Sequence, residues 1–382
     1  MYEFDGCFSQ KRFYELCGID LRDPTDWLKI FDLTSIPHEA ENYYINFVKD
    51  SLVICHELPN TLKKIHDKYD LPYIDISVHP VRFLEDNLWG FSSNNQLLLS
   101  RIKGFLIEKE FIFKAANFLK VQNITWDNFQ ENNKIILFTG QTELDKSLFE
   151  NGKLKTLSDY RDILIKLLPS FDKILLKHHP FSSENHRKEQ FNFLKSLGLE
   201  VIETNENFYK LCCNDNINTI LSLSSSTLEE GEFFGKETIR LIKPQQSFIY
   251  KDSQDSTTTS NILSVHKHFF LPSFWKTIIS SLGENLVTNN TSFNDFHFYP
   301  KNNELRTLFG DYWAYPEIDS SALISKKFLE TKFDSQDNEL HKLHNFCLSN
   351  YGEIAKIWAN QHDIQTNIWK SIKELQEFCW PK

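Results

Sequence analysis

Short apolar runs alternate along most of the chain with stretches whose apolar positions recur every three or four residues. The runs have the length of strands and end at Pro, Gly or polar clusters, whereas the stretches between them have the length of helices. In the first half, the pattern predicts strands over 51–55 and 73–78, a helix over 61–68 between them, and a long helix over 97–121. Alternation of this kind predicts the α/β class, with parallel strands joined by crossover helices.

The same alternation starts again near residue 134 and predicts a second α/β unit. Its strands are predicted over 134–139, 173–176, 200–203, 218–223 and 238–242, with helices over 158–168, 187–197 and 227–234. A chain of 382 residues is too long for one ordinary core. We therefore predict an N-terminal domain over 1–130, a second domain over 131–300, and closing helices over 301–382.

Composition and charge limit the function classes. The chain has 41% hydrophobic and 25% charged residues and a net charge of −10, which argues against nucleic acid as the main partner. No apolar run approaches the roughly 18–20 residues of a membrane span, and the first residues predict no signal peptide. The seven cysteines lack metal-ligand spacing. These features predict a cytoplasmic protein with reduced thiols.

A first polar cluster follows the predicted strand 134–139. It runs Gly-Gln-Thr-Glu-Leu-Asp and brings the carboxylates of Glu143 and Asp145 to the carboxyl end of a strand, where ligands bind in open α/β sheets. Two carboxylates there can supply a nucleophile, a base or a metal ligand. The alternative is structural, with Asp145 as the N-cap of a helix.

A second cluster, Lys177-His178-His179-Pro180, follows the predicted strand 173–176. A Lys and a His held by a following Pro form a compact cationic group suited to a phosphate, and a His can protonate a departing phosphate oxygen. The alternatives are a surface histidine pair and an incidental metal site.

A third cluster, Ser224-Ser225-Ser226, joins the predicted strand 218–223 to a helix. Hydroxyls and free N–H groups at a helix start favour an anion. The alternative is a capping box in which Ser226 and Glu229 satisfy each other's end of the helix.

The three clusters in this order resemble the bacterial retaining β-Kdo glycosyltransferases of capsule and O-antigen synthesis. That family has a Gln-x-Glu-x-Asp segment, a Lys-x-His-Pro motif and a Ser-containing helix start that ends in Gly-Lys, here Gly235-Lys236. The His-Pro and Ser motifs are similar also to those of bacterial sialyltransferases that use CMP-sialic acid. The resemblance covers about 135–243, and extends loosely to 56–59 and 79–83. It departs at His178, where the capsule enzymes often have Pro. It implies a GT-B fold: two Rossmann-like domains whose parallel sheets face an interdomain cleft.

The resemblance also implies a mechanism, retaining transfer from CMP-β-Kdo by double displacement. Asp145 would be the nucleophile, with Glu143 as its competitor for that role, and Glu57 on the opposing domain would be the acid/base. His179 would stabilise the departing CMP phosphate.

The remaining implied contacts concern the substrates. Lys177, Ser225 and Ser226 would bind the phosphate, Glu230 the ribose hydroxyls, and Arg82 a sugar carboxylate or the acceptor. An Arg82–Asp86 pair at helical spacing is the alternative for Arg82. All the expected substrate-binding residues are Gln141, Glu143, Lys177, Ser224, Ser225, Ser226, Glu230 and Arg82.

No cofactor and no metal are expected, because the chain lacks an Asp-x-Asp pair at the motifs and a CMP donor carries a single phosphate. The expected partners are CMP-Kdo, a glycan or lipid-linked glycan acceptor and other polysaccharide-assembly enzymes, which could recruit the chain to the inner face of the bacterial inner membrane. Three alternatives stay open: a transferase of another CMP-nonulosonic acid such as sialic or pseudaminic acid, a UDP-sugar 2-epimerase, and a non-catalytic module that binds a nucleotide or glycan.

Overall fold

The computed structural model of the chain describes residues 8–22, 26–33, 35–84, 87–122, 134–150, 153–244, 246–253 and 261–283. The helices in chain order are α1 Gln10–Leu16, α2 His38–Val48, α3 Asn60–Lys68, α4 Gln96–Lys103, α5 Lys109–Gln122, α6 Arg161–Leu167, α7 Glu184–Lys195, α8 Phe208–Cys213, α9 Thr227–Phe233 and α10 Pro272–Ile279. The strands are β1 Val53–His56, β2 Tyr73–Val78, β3 Trp89–Ser92, β4 Ile135–Thr139, β5 Phe149–Glu150, β6 Lys153–Leu154, β7 Lys173–Lys177, β8 Glu200–Glu203, β9 Ile217–Ser222, β10 Glu237–Arg240, β11 Ser247–Ile249 and β12 Asn261–Val265.

The second half forms a five-stranded sheet of order β10-β9-β4-β7-β8, in which every pairing is parallel. Its central strands are apolar runs because helices cover both faces of such a sheet, and Ile136, Leu137 and Phe138 of β4 are fully buried. The strand order reverses between β4 and β9. A crevice at the carboxyl ends of the strands, at such a switch point, is where open α/β sheets bind ligands.

The first half forms another five-stranded sheet, of order β1-β2-β3-β12-β11, with parallel pairs at its two edges. Its middle strand β3 is antiparallel to both neighbours and was not predicted from the sequence. β3 carries Gly90, where an added Cβ would lie 2.5 Å from Ile262 Cγ2 and 2.6 Å from Ser77 Oγ, so only glycine fits between the neighbouring strands. Its Trp-Gly-Phe-Ser sequence therefore lacks the continuous apolar run by which strands were recognised.

β11 and β12 lie within 131–300, the range predicted for the second domain, yet they complete the first sheet by pairing with β3. This pairing joins residues more than 150 positions apart, a distance over which local pattern carries no information. The proposed division at residues 130 and 300 stays a prediction. The segment 301–382 lies outside the described residues.

The prediction of one long helix over 97–121 is wrong. The structure has two helices, α4 and α5, that are separated at Gly104, the C-cap of α4. In the gap between them, the N–H of Ile107 donates a 3.0 Å hydrogen bond to the carbonyl of Ser264 in β12. The chain leaves the helix here because its backbone pairs with the first sheet.

One core cluster contains residues from both halves of the chain. Val81 and Phe83, which follow β2, are buried in it together with Leu137 of β4 and Phe233 of α9. The predicted α/β class is confirmed, and two five-stranded sheets are consistent with a GT-B-like fold. The prediction that both sheets are parallel is wrong for the first, because β3 runs antiparallel to both of its neighbours. Among the described helices, none combines the length and the apolar character of a membrane span.

Candidate active site

A pocket opens at the carboxyl ends of β4 and β9, at the switch point of the second sheet. The space that its lining encloses is about 700 Å³, a figure that includes the open solvent at its mouth. The hydroxyls of Thr139, at the end of β4, and Thr227, at the start of α9, lie 2.7 Å apart at its floor. The pocket is lined by Arg82, Thr139, Gly140, Lys177, His178, His179, Pro180, Asn205, Asn207, Phe208, Tyr209, Ser225, Ser226, Thr227 and Glu230.

Gln141 joins two of the predicted clusters from a buried position. Its Oε1 accepts a 2.8 Å hydrogen bond from the N–H of Ser224, and its Nε2 lies 3.0 Å from the hydroxyls of both Ser224 and Ser147. Its main-chain carbonyl accepts from the Ser182 hydroxyl at 2.9 Å. Neither Gln141 nor Ser224 lines the pocket, so in the structure both support the loops around it.

The two carboxylates of the first cluster each accept a main-chain hydrogen bond. Asp145 Oδ1 accepts from Ser147 N–H at 2.9 Å and caps a 3₁₀ turn over Lys146–Leu148, in line with the structural alternative from the sequence. Glu143 Oε1 accepts from Ser183 N–H at 3.0 Å. Burial works to raise the pKa of Glu143, but its hydrogen bonds with Ser183 and with its own main chain, together with the charge of His186, outweigh burial and lower this pKa. The cap occupies Oδ1 of Asp145.

Glu57 lies across the cleft from this loop, directly after β1. Its carboxylate forms a 2.7 Å ion pair with the ammonium of Lys146, the residue after Asp145. Glu57 also has a φ of +56°, in the left-handed region that a residue with a side chain rarely adopts. Such strain is common at functional sites. The ion pair with Lys146 brings Glu57, from the first sheet, beside the Asp145 loop of the second.

His179 has a defined tautomer. Its Nδ1 accepts a 3.1 Å hydrogen bond from Phe181 N–H, so the proton of the neutral ring is on Nε2. Burial, followed by the positive charge of Arg82, lowers the pKa of His179, while the charge of Asp145 works in the opposite direction. Near neutral pH, His179 therefore lines the pocket as a neutral hydrogen-bond donor.

Arg187 of α7 supports this loop from behind. Its guanidinium donates to the carbonyls of His179 at 3.3 Å and Pro180 at 2.8 Å. Arg187 was not predicted as a site residue from the sequence, because it lies on a predicted helix and belongs to no motif.

The other two basic side chains of the second cluster have partners at the sheet edge. The Lys177 ammonium donates a 2.7 Å hydrogen bond to the carbonyl of Glu206, and His178 Nε2 lies 2.6 Å from the carboxylate of Glu203. Both residues also line the pocket.

The structural alternative for the third cluster, a capping box at Ser226, is not formed. The Ser226 side chain makes no capping hydrogen bond, because this residue has helical dihedral angles and Glu229 instead pairs with Arg240. Ser226 and the buried Ser225 line the pocket with Thr227. The lysine of the Gly235-Lys236 pair does not, because its ammonium donates to the carbonyl of Asn214 at 2.8 Å.

Glu230 is a buried carboxyl group in the pocket wall, with 3% of its surface exposed. Its Oε1 accepts 2.8 Å hydrogen bonds from Arg82 N–H and from the Tyr209 hydroxyl. Burial raises the pKa of Glu230 to about 7, although the charge of Arg82 works against this rise. The alternative partner of Arg82, Asp86, lies outside the described residues.

Several lining residues were missed from the sequence. Asn207 caps α8 by accepting from Tyr209 N–H at 2.8 Å, and Tyr209 then reaches Glu230. A usable signal was present, since these residues directly follow β8, and the ends of parallel strands meet at one edge.

In the described parts of the chain, no group of three or more His, Cys, Asp or Glu side chains could hold a metal ion. The expectation of a metal-independent site stays a prediction.

Comparisons with known proteins give structural likeness only. No family model and no curated protein matches the chain. Solved structures with similarity include Thermosulfurimonas dismutans KpsC, beta Kdo 2,7 transferase, at 12% identity and a TM-score of 0.34, over 57% of this chain and 75% of that chain. Another is Thermosulfurimonas dismutans KpsC, beta Kdo 2,4 transferase, at 15% identity and a TM-score of 0.30, over 49% and 67%. Likeness at this level carries no argument about activity.

Proposed function

We propose that this chain is a retaining β-Kdo glycosyltransferase that moves Kdo from CMP-β-Kdo onto a surface-polysaccharide acceptor. The observation that carries the proposal is the 2.7 Å ion pair between Glu57 and Lys146, which joins the residue after β1 of the first sheet to the residue that follows Asp145. Retaining transfer by double displacement requires a pair of carboxylates, one as nucleophile and one as acid/base.

The nucleotide part of the donor fits the pocket at the switch point. The hydroxyls of Ser225, Ser226 and Thr227 and the Nε2–H of His179 would bind the phosphate, because all four line the same space. Glu230 would accept hydrogen bonds from the ribose. Both of its hydrogen bonds from described residues reach Oε1, so Oε2 is available to a ligand.

In the first step, a carboxylate oxygen of Asp145 attacks the anomeric carbon while the bond from that carbon to the phosphate oxygen breaks. The bonding pair leaves with CMP, and His179 stabilises the phosphate by a hydrogen bond from Nε2. Asp145 is preferred over Glu143 because its loop contacts Glu57 through the adjacent Lys146, whereas Glu143 binds Ser183 at the start of α7.

In the second step, an acceptor hydroxyl loses its proton to Glu57 and attacks the same carbon, which releases the Asp145 carboxylate. Two inversions at one carbon retain its configuration. The acceptor would be a glycan, free or lipid-linked. We place the activity in the cytoplasm, with recruitment to the inner membrane through the acceptor or other polysaccharide-assembly enzymes.

A donor panel tests the proposal against its alternatives. The purified protein is given CMP-Kdo made in situ, CMP-sialic acid, CMP-pseudaminic acid or UDP-GlcNAc, with and without acceptor glycans, and nucleotide release is measured. CMP release confined to CMP-Kdo supports the proposal. Release from CMP-sialic acid or CMP-pseudaminic acid instead would show that the donor is that CMP-activated acid and not CMP-Kdo. Epimerisation of UDP-GlcNAc without an acceptor would indicate a 2-epimerase. CMP binding without turnover of any donor would indicate a non-catalytic module.

A further inference from the structure

The Glu57–Lys146 ion pair is exposed enough to exchange partners. The side chain of Lys146 is 42% exposed and that of Glu57 is 37% exposed. Ion pairs of this kind contribute only about 0–1 kcal/mol to stability. Another carboxylate in the cleft could therefore replace Glu57 on the lysine at little cost.

The backbone on each side of the cleft is held independently of this pair. Behind Glu57, the N–H of Leu58 donates a 2.7 Å hydrogen bond to the carboxylate of Asp75, which forms a largely buried 2.6 Å ion pair with Lys63. On the other side, the Asp145 cap fixes the turn that begins at Lys146. Both side chains would stay at the cleft after the ion pair separates.

Other cations at the site have partners elsewhere. The ammonium of Lys177 donates to the carbonyl of Glu206, and Arg187 donates to carbonyls of the His179 loop. Arg82 acts on the nucleotide side of the pocket, where its charge affects Glu230 and His179. In the part of the cleft that the structure describes, the ion-pair partner of Lys146 is the exposed Glu57.

We propose that Lys146 binds the carboxylate of the donor sugar and releases Glu57 when it does so. This inference rests on the proposed function. A keto-sugar acid carries its carboxylate on the anomeric carbon, so this group must lie within a few ångströms of the atom that Asp145 attacks. Lys146 is the adjacent residue, and it would therefore select sugar acids over neutral sugars.

The release of Glu57 gives the site an order of events. Without donor, the ammonium of Lys146 occupies the carboxylate that must accept the acceptor's proton. When the donor carboxylate takes over the lysine, Glu57 becomes available as a base. Donor binding thus precedes activation of the acceptor.

The test separates binding of the nucleotide from binding of the sugar acid. CMP affinity is measured by calorimetry, and kcat/KM for CMP-Kdo by CMP release, in the wild type, Lys146→Met and Lys146→Arg. The control is Lys114→Met, which removes an exposed lysine paired with Glu110 on α5, outside the site.

We expect Lys146→Met to lower kcat/KM about 10- to 100-fold, the effect of losing one charged hydrogen bond. The CMP affinity of Lys146→Met should stay within about twofold of the wild-type affinity. CMP has no sugar carboxylate, so it has no group that Lys146 would bind. Lys146→Arg should retain most of the activity.

Two results would overturn the inference while leaving the proposed function intact: an unchanged kcat/KM in Lys146→Met, or an equal fall in CMP affinity. Wild-type protein that binds CMP but turns over no CMP-activated sugar acid would instead overturn the proposed function, and this inference with it.

Discussion

The main-chain N–H of Arg82 donates a 2.8 Å hydrogen bond to the buried carboxyl group of Glu230. The two residues are 148 positions apart, one after β2 of the first sheet and the other in α9 of the second. The bond links the two halves of the chain at the pocket wall, and its strength depends on the protonation of Glu230.

Glu230 should make stability depend on pH. Because burial raises its pKa from 4.5 to about 7 in the folded state, the unfolded chain releases this proton at a lower pH than the native one. The contribution of Glu230 therefore falls as pH rises from about 4.5 to about 7. Glu230→Gln cannot ionise, so it should be more stable than the wild type at pH 8 by about 1–3 kcal/mol and nearly equal at pH 5.

Urea unfolding at pH 5 and pH 8 measures this difference. Glu189→Gln, an exposed change on α7, is the control and should leave the pH dependence unaltered. A stability difference of the same size at both pH values would contradict the raised pKa of Glu230 as the source of the pH dependence. Glu230→Gln should also weaken CMP binding, since it replaces the proposed ribose acceptor.

Arg187 should lower the pKa of His179. Its positive charge faces the ring from α7, together with the charges of Arg82, Asp145 and Glu143, and it also holds the loop carbonyls. In Arg187→Gln, the pKa of His179 should rise, as measured by NMR titration of the ring C–H resonances. Assignment comes from the signal that is lost in His179→Gln. Arg161→Gln, at the exposed start of α6, should leave the titration unchanged. An unaltered His179 titration in Arg187→Gln would show that its charge does not act on the ring.

Gln141 should contribute to stability more than to ligand contact. Its amide bridges Ser224 and Ser147 from a buried position, so Gln141→Ala leaves the Ser224 N–H without its acceptor, although the two serine hydroxyls still contact each other at 2.9 Å. Loss of such buried hydrogen bonds costs about 1–3 kcal/mol. Urea unfolding should show this loss, whereas Asp145→Asn should unfold like the wild type because Asn also caps helical turns. Equal stabilities of Gln141→Ala and the wild type would contradict the bridging role.

The second sheet was largely predictable from the sequence because its central strand β4 is buried on both faces and its other strands alternate with helices of ordinary length. β4 is an apolar run, β7 and β9 each have an apolar centre, and the polar clusters after all three lie at one edge of a parallel sheet. Asp145, His179 and Ser225 could be singled out for that reason. Local pattern also allowed the structural alternative for Asp145, and the structure has that cap.

The features of the fold and of the site that the sequence did not predict depend on contacts between distant parts of the chain. β3 was missed because Gly90 interrupts its apolar run, and the pairing of β12 with β3 has no local signal. Glu57 was proposed from resemblance alone. Its contact with Lys146, and the role of Tyr209 beside Glu230, appear only when the two sheets face each other.

The most direct test of the central claim is CMP release from CMP-Kdo by the wild type and by Asp145→Asn, with Glu143→Gln as the matched control. We predict release by the wild type and by Glu143→Gln, and a loss of at least about 1,000-fold in Asp145→Asn, as is common when a catalytic nucleophile is removed. Undiminished release by Asp145→Asn would contradict the double-displacement account. Loss confined to Glu143→Gln would assign the nucleophile to Glu143 instead.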